Sequence, residues 1–296
     1  GAGGRLDTGD LAGVREERAP AALEAWLRGC GALGPGGAAS GARLRKFPQG
    51  QSNPTFLVRC GRAGGGGARQ LVLRRQPAGA RLPSAHDVAR EFRVQRALGA
   101  KGFPVPRMLA LCRDPRVLGG GSEFYVMEHV DGCVLTDPGL RCLAPVIRRG
   151  VHLAAARTLA RLHRVRPADL AASGLLGEGF FPRAPKRGSD GAPAPGGAES
   201  DYCQRQVRRW ARQYAASCAQ AGWAPDPGMG RLAAALRRHR LSRAAARSIV
   251  HGDFRVDNLI FDPRTLEEDA SPGSGGAHVL AVLDWELSTL GDPFSD

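Results

Sequence analysis

The stretch His251-Gly252-Asp253-Phe254-Arg255-Val256-Asp257-Asn258 constrains this chain more than any other feature. It sets an aspartate and an asparagine five residues apart, after the short apolar segment Ser248–Val250 and before Leu259-Ile260-Phe261. Phosphoryl transfer uses that combination. A carboxylate positions an acceptor hydroxyl and takes its proton, while a nearby amide oxygen helps hold Mg²⁺ against a triphosphate. The same spacing also fits a polar turn closed by Asx hydrogen bonds, so the loop by itself leaves both readings open. Twenty-six residues after Asn258, Val282-Leu283-Asp284-Trp285-Glu286 ends an apolar strand on a carboxylate. A strand end is a rigid place from which to hold a divalent cation, and aspartate supplies a hard oxygen ligand. Taken singly, Asp284 reads as a strand-terminating surface residue; taken with Asp253 and Asn258 it reads as a second metal ligand.

Upstream, Gln49-Gly50-Gln51-Ser52-Asn53 lies between strand candidates, and its small and amide-bearing residues let backbone N–H groups approach phosphate oxygens. It lacks G-x-G-x-x-G, and an ordinary hairpin turn fits it equally well. The strand candidate Leu71-Val72-Leu73-Arg74 directs a cation toward the same region, where Glu91 on the following helix can pair with it. A surface arginine and a surface glutamate are the plainer alternatives.

From Phe47 to Val130 the pattern is rich in strands: Thr55–Cys60, Gln70–Arg75, Met108–Cys112 and Phe124–Val130. One helix interrupts them. Ser84 is its expected N-cap with Asp87 three residues on, and Val88, Phe92, Gln95 and Leu98 continue at helical spacing to Gly99. After Asp131-Gly132 the chain turns helical. Val146–Val165 is expected to present Leu153, Ala156, Ala160 and His163 on one face, and Tyr202–Ala221 and Arg231–Leu241 follow. Short strands return at Ser248–Val250, Leu259–Phe261 and Val279–Leu283. Gly29–Gly41, Gly61–Ala68, Ala184–Ser200 and Ala270–Ala277 read as linkers, and Val14–Leu27 as a short amphipathic helix. The expected organisation is α+β and bilobal. Residues 1–41 form an N-terminal helix and linker, 42–130 a nucleotide-binding N-lobe, and 131–296 an incomplete C-lobe carrying the catalytic loop.

The seven cysteines are scattered and form no C-x-x-C pair, which argues against a disulfide framework or zinc site and suits a reducing, intracellular compartment. The formal net charge of +14 comes almost wholly from arginine spread along the chain, with no aromatic-interleaved basic stripe. Specific nucleic-acid binding is therefore not expected, whereas the field favours an anionic substrate such as a nucleotide or an acyl-CoA. No apolar run approaches the roughly 20 residues that cross a bilayer. A chain that opens on Gly1 and stops at Asp296 is expected to be a piece of a longer polypeptide.

The motif series as a whole resembles the aminoglycoside-phosphotransferase or choline-kinase-like family. More narrowly, it is similar to the kinase-like domain of acyl-CoA dehydrogenase family members 10 and 11. The residues that carry this are Gln51–Phe56, Arg90–Gln95, Gly102–Pro106, Phe124–Val130, Tyr202–Val207, the catalytic loop and Val282–Thr289, so the likeness runs from about Leu44 to Asp296. It implies a protein-kinase-like fold with an antiparallel N-lobe sheet plus helix and a mostly helical C-lobe. It also implies ATP and Mg²⁺ as cofactors, with phosphate transfer to an alcohol. Asp253 would be the catalytic base, with Arg255 neutralising charge on the moving phosphoryl group or bridging within the loop. Asn258 and Asp284 would hold magnesium, and Ser52 and Asn53 would cap the phosphates. Arg74 stands where the wider family has lysine, paired with Glu91, and a guanidinium fork alters the phosphate geometry there. Glu128 and Val130 would offer backbone groups to adenine. His163 and His251 read as loop-orienting or packing residues, Asp292 and Asp296 as braces for the loop after Asp284, and Trp285 as core. The narrower resemblance further implies a 4-hydroxyacyl-CoA acceptor, a fused C-terminal acyl-CoA dehydrogenase domain and a mitochondrial or peroxisomal setting. A non-catalytic nucleotide-binding module that organises a larger enzyme is the alternative.

Overall fold

A computed structural model describes residues 16–33, 41–48, 53–61, 68–77, 87–118, 122–176, 202–238, 248–267 and 276–296. The N-lobe is a six-stranded antiparallel sheet of β1 (Glu16–Arg18), β2 (Arg43–Lys46), β3 (Thr55–Cys60), β4 (Arg69–Arg75), β5 (Met108–Cys112) and β6 (Phe124–Glu128). Its spatial order is β1-β2-β3-β4-β6-β5. Helices α1 (Ala21–Gly29) and α2 (Val88–Gly99) accompany it.

Strand side chains alternate between faces, and both faces of this sheet are buried. Leu71 and Leu73 of β4 join Phe124 and Val126 of β6 in one cluster with Leu23 and Leu27 of α1. The alternate positions, Val72, Tyr125 and Met127, form a second cluster with Val88 and Phe92 of α2. The period places Arg74 on the Val72 face, under α2, and β4–β6 pairing sets it opposite Tyr125. Strand geometry thus aims the Arg74 guanidinium at Glu91.

Of the segment set apart as residues 1–41, residues 16–33 pack as part of this lobe. Residues 16–18 are its edge strand rather than part of a Val14–Leu27 helix. The reason is local: a residue preceding proline avoids the α region, so Ala19-Pro20 delays the helix to Ala21. Trp26 of α1 meets Phe124 edge-on, ring centroids 4.9 Å apart. Helix α2 is likewise capped by Asp87, whose Oδ1 accepts the Arg90 N–H at 2.8 Å, while Ser84 lies outside the described residues.

The C-lobe contains β7 (Cys133–Val134), α3 (Pro145–Arg164), α4 (Pro167–Ala172), α5 (Tyr202–Ala221), α6 (Pro227–Arg238), β8 (Ser248–Val250), β9 (Leu259–Phe261), β10 (Val279–Val282) and β11 (Thr289–Gly291). Strands β10-β9-β7 form one small sheet and β11-β8 another. On α3 the buried positions are Val151, Ala154, Thr158 and Leu162, whereas Leu153, Ala156 and Ala160 are exposed. Leu153, Ala156 and Ala160 do share one face, and it is the solvent face, opposite the buried stripe. An alanine-rich helix offers two apolar stripes of similar strength, and packing selected the one ending on Leu162.

Candidate active site

Two loops meet at the C-lobe side of the cleft. The peptide N–H of Leu283 donates to the Asn258 carbonyl at 2.8 Å, extending the β9–β10 ladder by one step so that Asn258 and Asp284 are brought close together. Asp284 then adopts a left-handed conformation, φ 62° and ψ 63°. Aspartate tolerates that region better than most residues, yet the conformation carries strain that surrounding contacts must hold. Trp285 supplies the anchor: it is fully buried and its indole N–H donates to Val282 O at 3.0 Å.

The catalytic loop is braced from beneath. His251 is fully buried, and its Nε2 lies 2.8 Å from the Leu283 carbonyl, while Nδ1 lies 3.3 Å from the Asp253 peptide N–H. A carbonyl only accepts and a peptide N–H only donates, so these partners require a neutral ring protonated at Nε2. Burial accordingly pushes the His251 pKa down, against the raising influence of the Leu283 carbonyl and of Asp296, Asp284 and Asp253. Asp296 accepts the His251 and Gly252 peptide N–H groups at 2.9 and 2.6 Å and pairs with His163 Nε2 at 3.0 Å. It braces the catalytic loop, therefore, and not the segment after Asp284. Asp292 instead caps the last turn through Phe294 N–H at 3.0 Å.

Within the loop, Asn258 Nδ2 donates to the Asp253 carbonyl at 2.9 Å and to its Oδ2 at 3.2 Å. The amide nitrogen is thereby committed to Asp253, which leaves Oδ1 as the ligand-type atom of Asn258. Arg255 forms the bridge within the loop, with Nη2 2.8 Å from Asp257 Oδ2 and Nε 3.5 Å from Asp253 Oδ1.

From the N-lobe, Arg74 is the hub. Its Nε lies 2.9 Å from Glu91 Oε2, and its Nη2 lies 2.5 Å from Asp284 Oδ1 and 3.7 Å from Glu286 Oε2. Asn53, fully buried, donates Nδ2 to Glu91 Oε1 at 2.6 Å and approaches Glu286 Oε2 at 3.4 Å. Tyr125 donates its hydroxyl to Glu91 Oε2 at 3.1 Å and accepts from Gln95 Nε2 at 3.2 Å. Burial pushes Glu91 up to about 7, opposed by Arg74. Burial works to lower the Arg74 pKa, but Glu91, with Tyr125, Asp284 and Glu286, outweighs it and raises it. Two hydrogen-bond donors, Asn53 Nδ2 and the Tyr125 hydroxyl, and the Arg74 cation converge on the Glu91 carboxylate, an environment that favours its ionised form.

Glu91, Asp284 and Glu286 surround the Arg74 guanidinium, and Arg90 Nη1 donates to the Glu286 carbonyl beside them at 3.4 Å. Asp284 is held through Oδ1, and Asn258 retains its amide oxygen. A carboxylate and an amide oxygen are hard donors of the kind magnesium takes.

Among the remaining expectations, Ser52 lies outside the described residues. Glu128 donates its peptide N–H to Arg107 O at 3.0 Å and its carboxylate pairs with Arg107 Nη2 at 2.5 Å. Its N–H is therefore already used, which leaves its carbonyl and the half-buried Val130 backbone as the groups that can meet a base. Sequence reasoning assigned no role to Tyr125, Glu286 or Gln95. The two-residue spacing from Asp284 to Glu286 was a visible signal, whereas Tyr125 emerges only from its register with Arg74.

Residues 43–296 match the phosphotransferase enzyme family. The chain belongs to that family. Its curated relatives include mouse acyl-CoA dehydrogenase family member 10, 41% identical over 278 residues. Chicken acyl-CoA dehydrogenase family member 11 is 40% identical over 274 residues. Each alignment covers 93% of this chain, but the chain spans only 21% and 30% of those relatives. A candidate aminoglycoside phosphotransferase from Ralstonia eutropha superposes with a TM-score of 0.61 at 35% identity, covering 92% of this chain and 66% of that one. Choline kinase from Cryptosporidium parvum, at 14% identity and TM-score 0.52 over 91% of this chain and 66% of its own, shares the fold. The bilobal kinase-like architecture expected from the motifs is the one found.

Proposed function

We propose that the cleft transfers the γ-phosphoryl group of ATP to an alcohol, with Asp253 as the base. The observation that carries this is the convergence of Asp253, Asn258 and Asp284 through the Asn258 Nδ2–Asp253 hydrogen bonds and the hydrogen bond from the Leu283 N–H to the Asn258 carbonyl. Asp253 accepts the hydroxyl proton as the acceptor oxygen bonds to phosphorus and the bond to the ADP oxygen breaks. His251 fixes the loop backbone, and Asn258 orients the base. Magnesium, held by Asn258 Oδ1 and Asp284, would neutralise triphosphate charge. Asn53 and Arg74 shape the phosphate end, while Glu128 O and the Val130 backbone receive the base.

The names of the relatives favour an acyl-CoA acceptor bearing a hydroxyl, such as a 4-hydroxyacyl-CoA, within a longer chain that also carries a dehydrogenase domain. The test incubates the protein with MgATP and 4-hydroxyacyl-CoA and follows phosphorylated product. Formation that disappears in Asp253→Ala supports the reading, and no product from the longer polypeptide refutes that acceptor.

A second reading has its own observation. Arg74 engages a carboxylate assigned to metal, an arrangement suited to a module that binds nucleotide without turning it over. Calorimetry with MgATP showing binding, with no hydrolysis or transfer in the complete polypeptide, would favour it.

A further inference from the structure

Between helices α5 and α6 lies an open pocket of about 750 Å³ lined by Gln204, Arg205, Arg208, Arg212 and Arg237. Arg205, Arg208 and Arg212 fall at i, i+3 and i+7, so they share one helical face. The side chain of Gln204 ties the helices together by donating Nε2 to the carbonyls of Leu236 and Arg237 at 3.1 and 3.0 Å. No acidic residue lines the cavity, and among the described residues Arg208, Arg212 and Arg237 have no carboxylate within salt-bridge distance. Like cations gathered on one wall repel one another, and an anion bound between them removes that cost.

The cavity also has a position relative to the cleft. At its start, α5 packs Tyr202 so closely on β11 that a Cβ at Gly291 would lie 2.6 Å from the ring. Farther along α5, Arg209 is near enough to Arg90 to help lower its pKa, after the larger effects of burial and the opposing Asp87. Arg90 in turn donates Nη1 to the Glu286 carbonyl at 3.4 Å, beside the Arg74–Asp284 pair. Helix α5 therefore begins against β11, which pairs with the β8 strand leading into the catalytic loop, and passes near Arg90 of α2.

We propose that the α5–α6 arginine pocket binds the phosphate groups of the acceptor, which is a hydroxyl compound carrying a polyphosphorylated handle remote from that hydroxyl. Guanidinium forks match phosphate oxygens in pairs, and several of them on one wall suit an anion with more than one phosphate group. A CoA thioester has this form, with a diphosphate and a separate phosphomonoester at one end and the acyl chain at the other. The inference rests on the phosphotransferase reading and deepens it: the pocket selects the acceptor by its handle, and Asp253 acts on the far end.

The test uses calorimetry on the full 296-residue chain with coenzyme A as the probe, inorganic pyrophosphate as a competitor and MgATP in a separate titration. The expected result is saturable binding of coenzyme A, competed by pyrophosphate. Arg208→Ala and Arg212→Ala should each weaken it about tenfold or more, since a hydrogen bond between charged groups contributes on that order. Arg212→Lys should retain part of the affinity, and MgATP binding should be unchanged in every variant. Coenzyme A binding equal in wild type and both alanine variants would overturn the proposal, as would no coenzyme A binding by a chain that still binds MgATP. Tighter binding of duplex or single-stranded nucleic acid through the same arginines would also overturn it. Loss of MgATP binding by the wild-type chain would instead contradict the nucleotide reading on which the proposal rests.

Discussion

Arg74 spans the cleft, with Nε 2.9 Å from Glu91 on α2 and Nη2 2.5 Å from Asp284 after β10. A lysine ammonium is a single point charge at the end of a flexible stem. The planar fork of arginine can satisfy two carboxylates on different lobes at once. The arginine at position 74 therefore adds a link between lobes while keeping the N-lobe ion pair.

Arg74→Met removes the cation from a buried glutamate and should destabilise the protein by about 3–5 kcal/mol, the usual cost of breaking a buried pair on one side. Arg74→Lys should cost less, about 1–3 kcal/mol, because Glu91 keeps a counter-charge while Asp284 loses its partner. Urea denaturation of both variants measures the two losses. No loss in Arg74→Lys would show that the fork is not used.

Gly252 has φ +88°, and a Cβ there would stand 2.9 Å from both the Cβ and the carbonyl oxygen of Leu287. Gly252→Ala should therefore strain the backbone by about 1–3 kcal/mol. The strain falls on the peptide whose N–H Asp296 holds, so activity should drop more steeply than stability. Paired measurements of turnover and thermal midpoint check this.

The His251 pKa is lowered in the folded chain from an ordinary value of 6.5, chiefly by burial. The unfolded chain then binds more protons than the folded one just below that value, so stability rises with pH up to about 6.5 and levels off above it. As pH falls through the depressed folded value, the contribution disappears, because a doubly protonated ring cannot accept the Asp253 N–H. Comparing urea midpoints from pH 5 to 8 in wild type and His251→Gln isolates the effect. The wild type should show the extra loss on the acid side.

Much of the C-lobe site was legible because its chemistry is local in sequence. Asp253 and Asn258 lie on one loop, and apolar runs on either side mark β8, β9 and β10. Arg74 and Glu91 were also readable as a pair, since period-two burial in β4 and the start of α2 put them on one face. What escaped depended on long-range geometry. Asp296 reaches back 45 residues to His251, and Asn53 meets Glu286 across 233. Tyr125 reads as an ordinary apolar strand residue until pairing places it opposite Arg74. Which face of α3 packs inward was not legible because alanine carries too little contrast to choose a stripe, and β1 was hidden in a charged run, Glu16-Glu17-Arg18, that only an edge strand tolerates comfortably.

The central claim is tested most directly by phosphorylated-product formation from MgATP in wild type and Asp253→Asn, with MgATP affinity measured on the same samples. Removing a general base lowers turnover by roughly 10²–10⁴-fold. The expected result is a loss of that size, with MgATP affinity nearly unchanged because Asp253 is assigned to the acceptor side. Equal turnover in the two proteins would contradict the account.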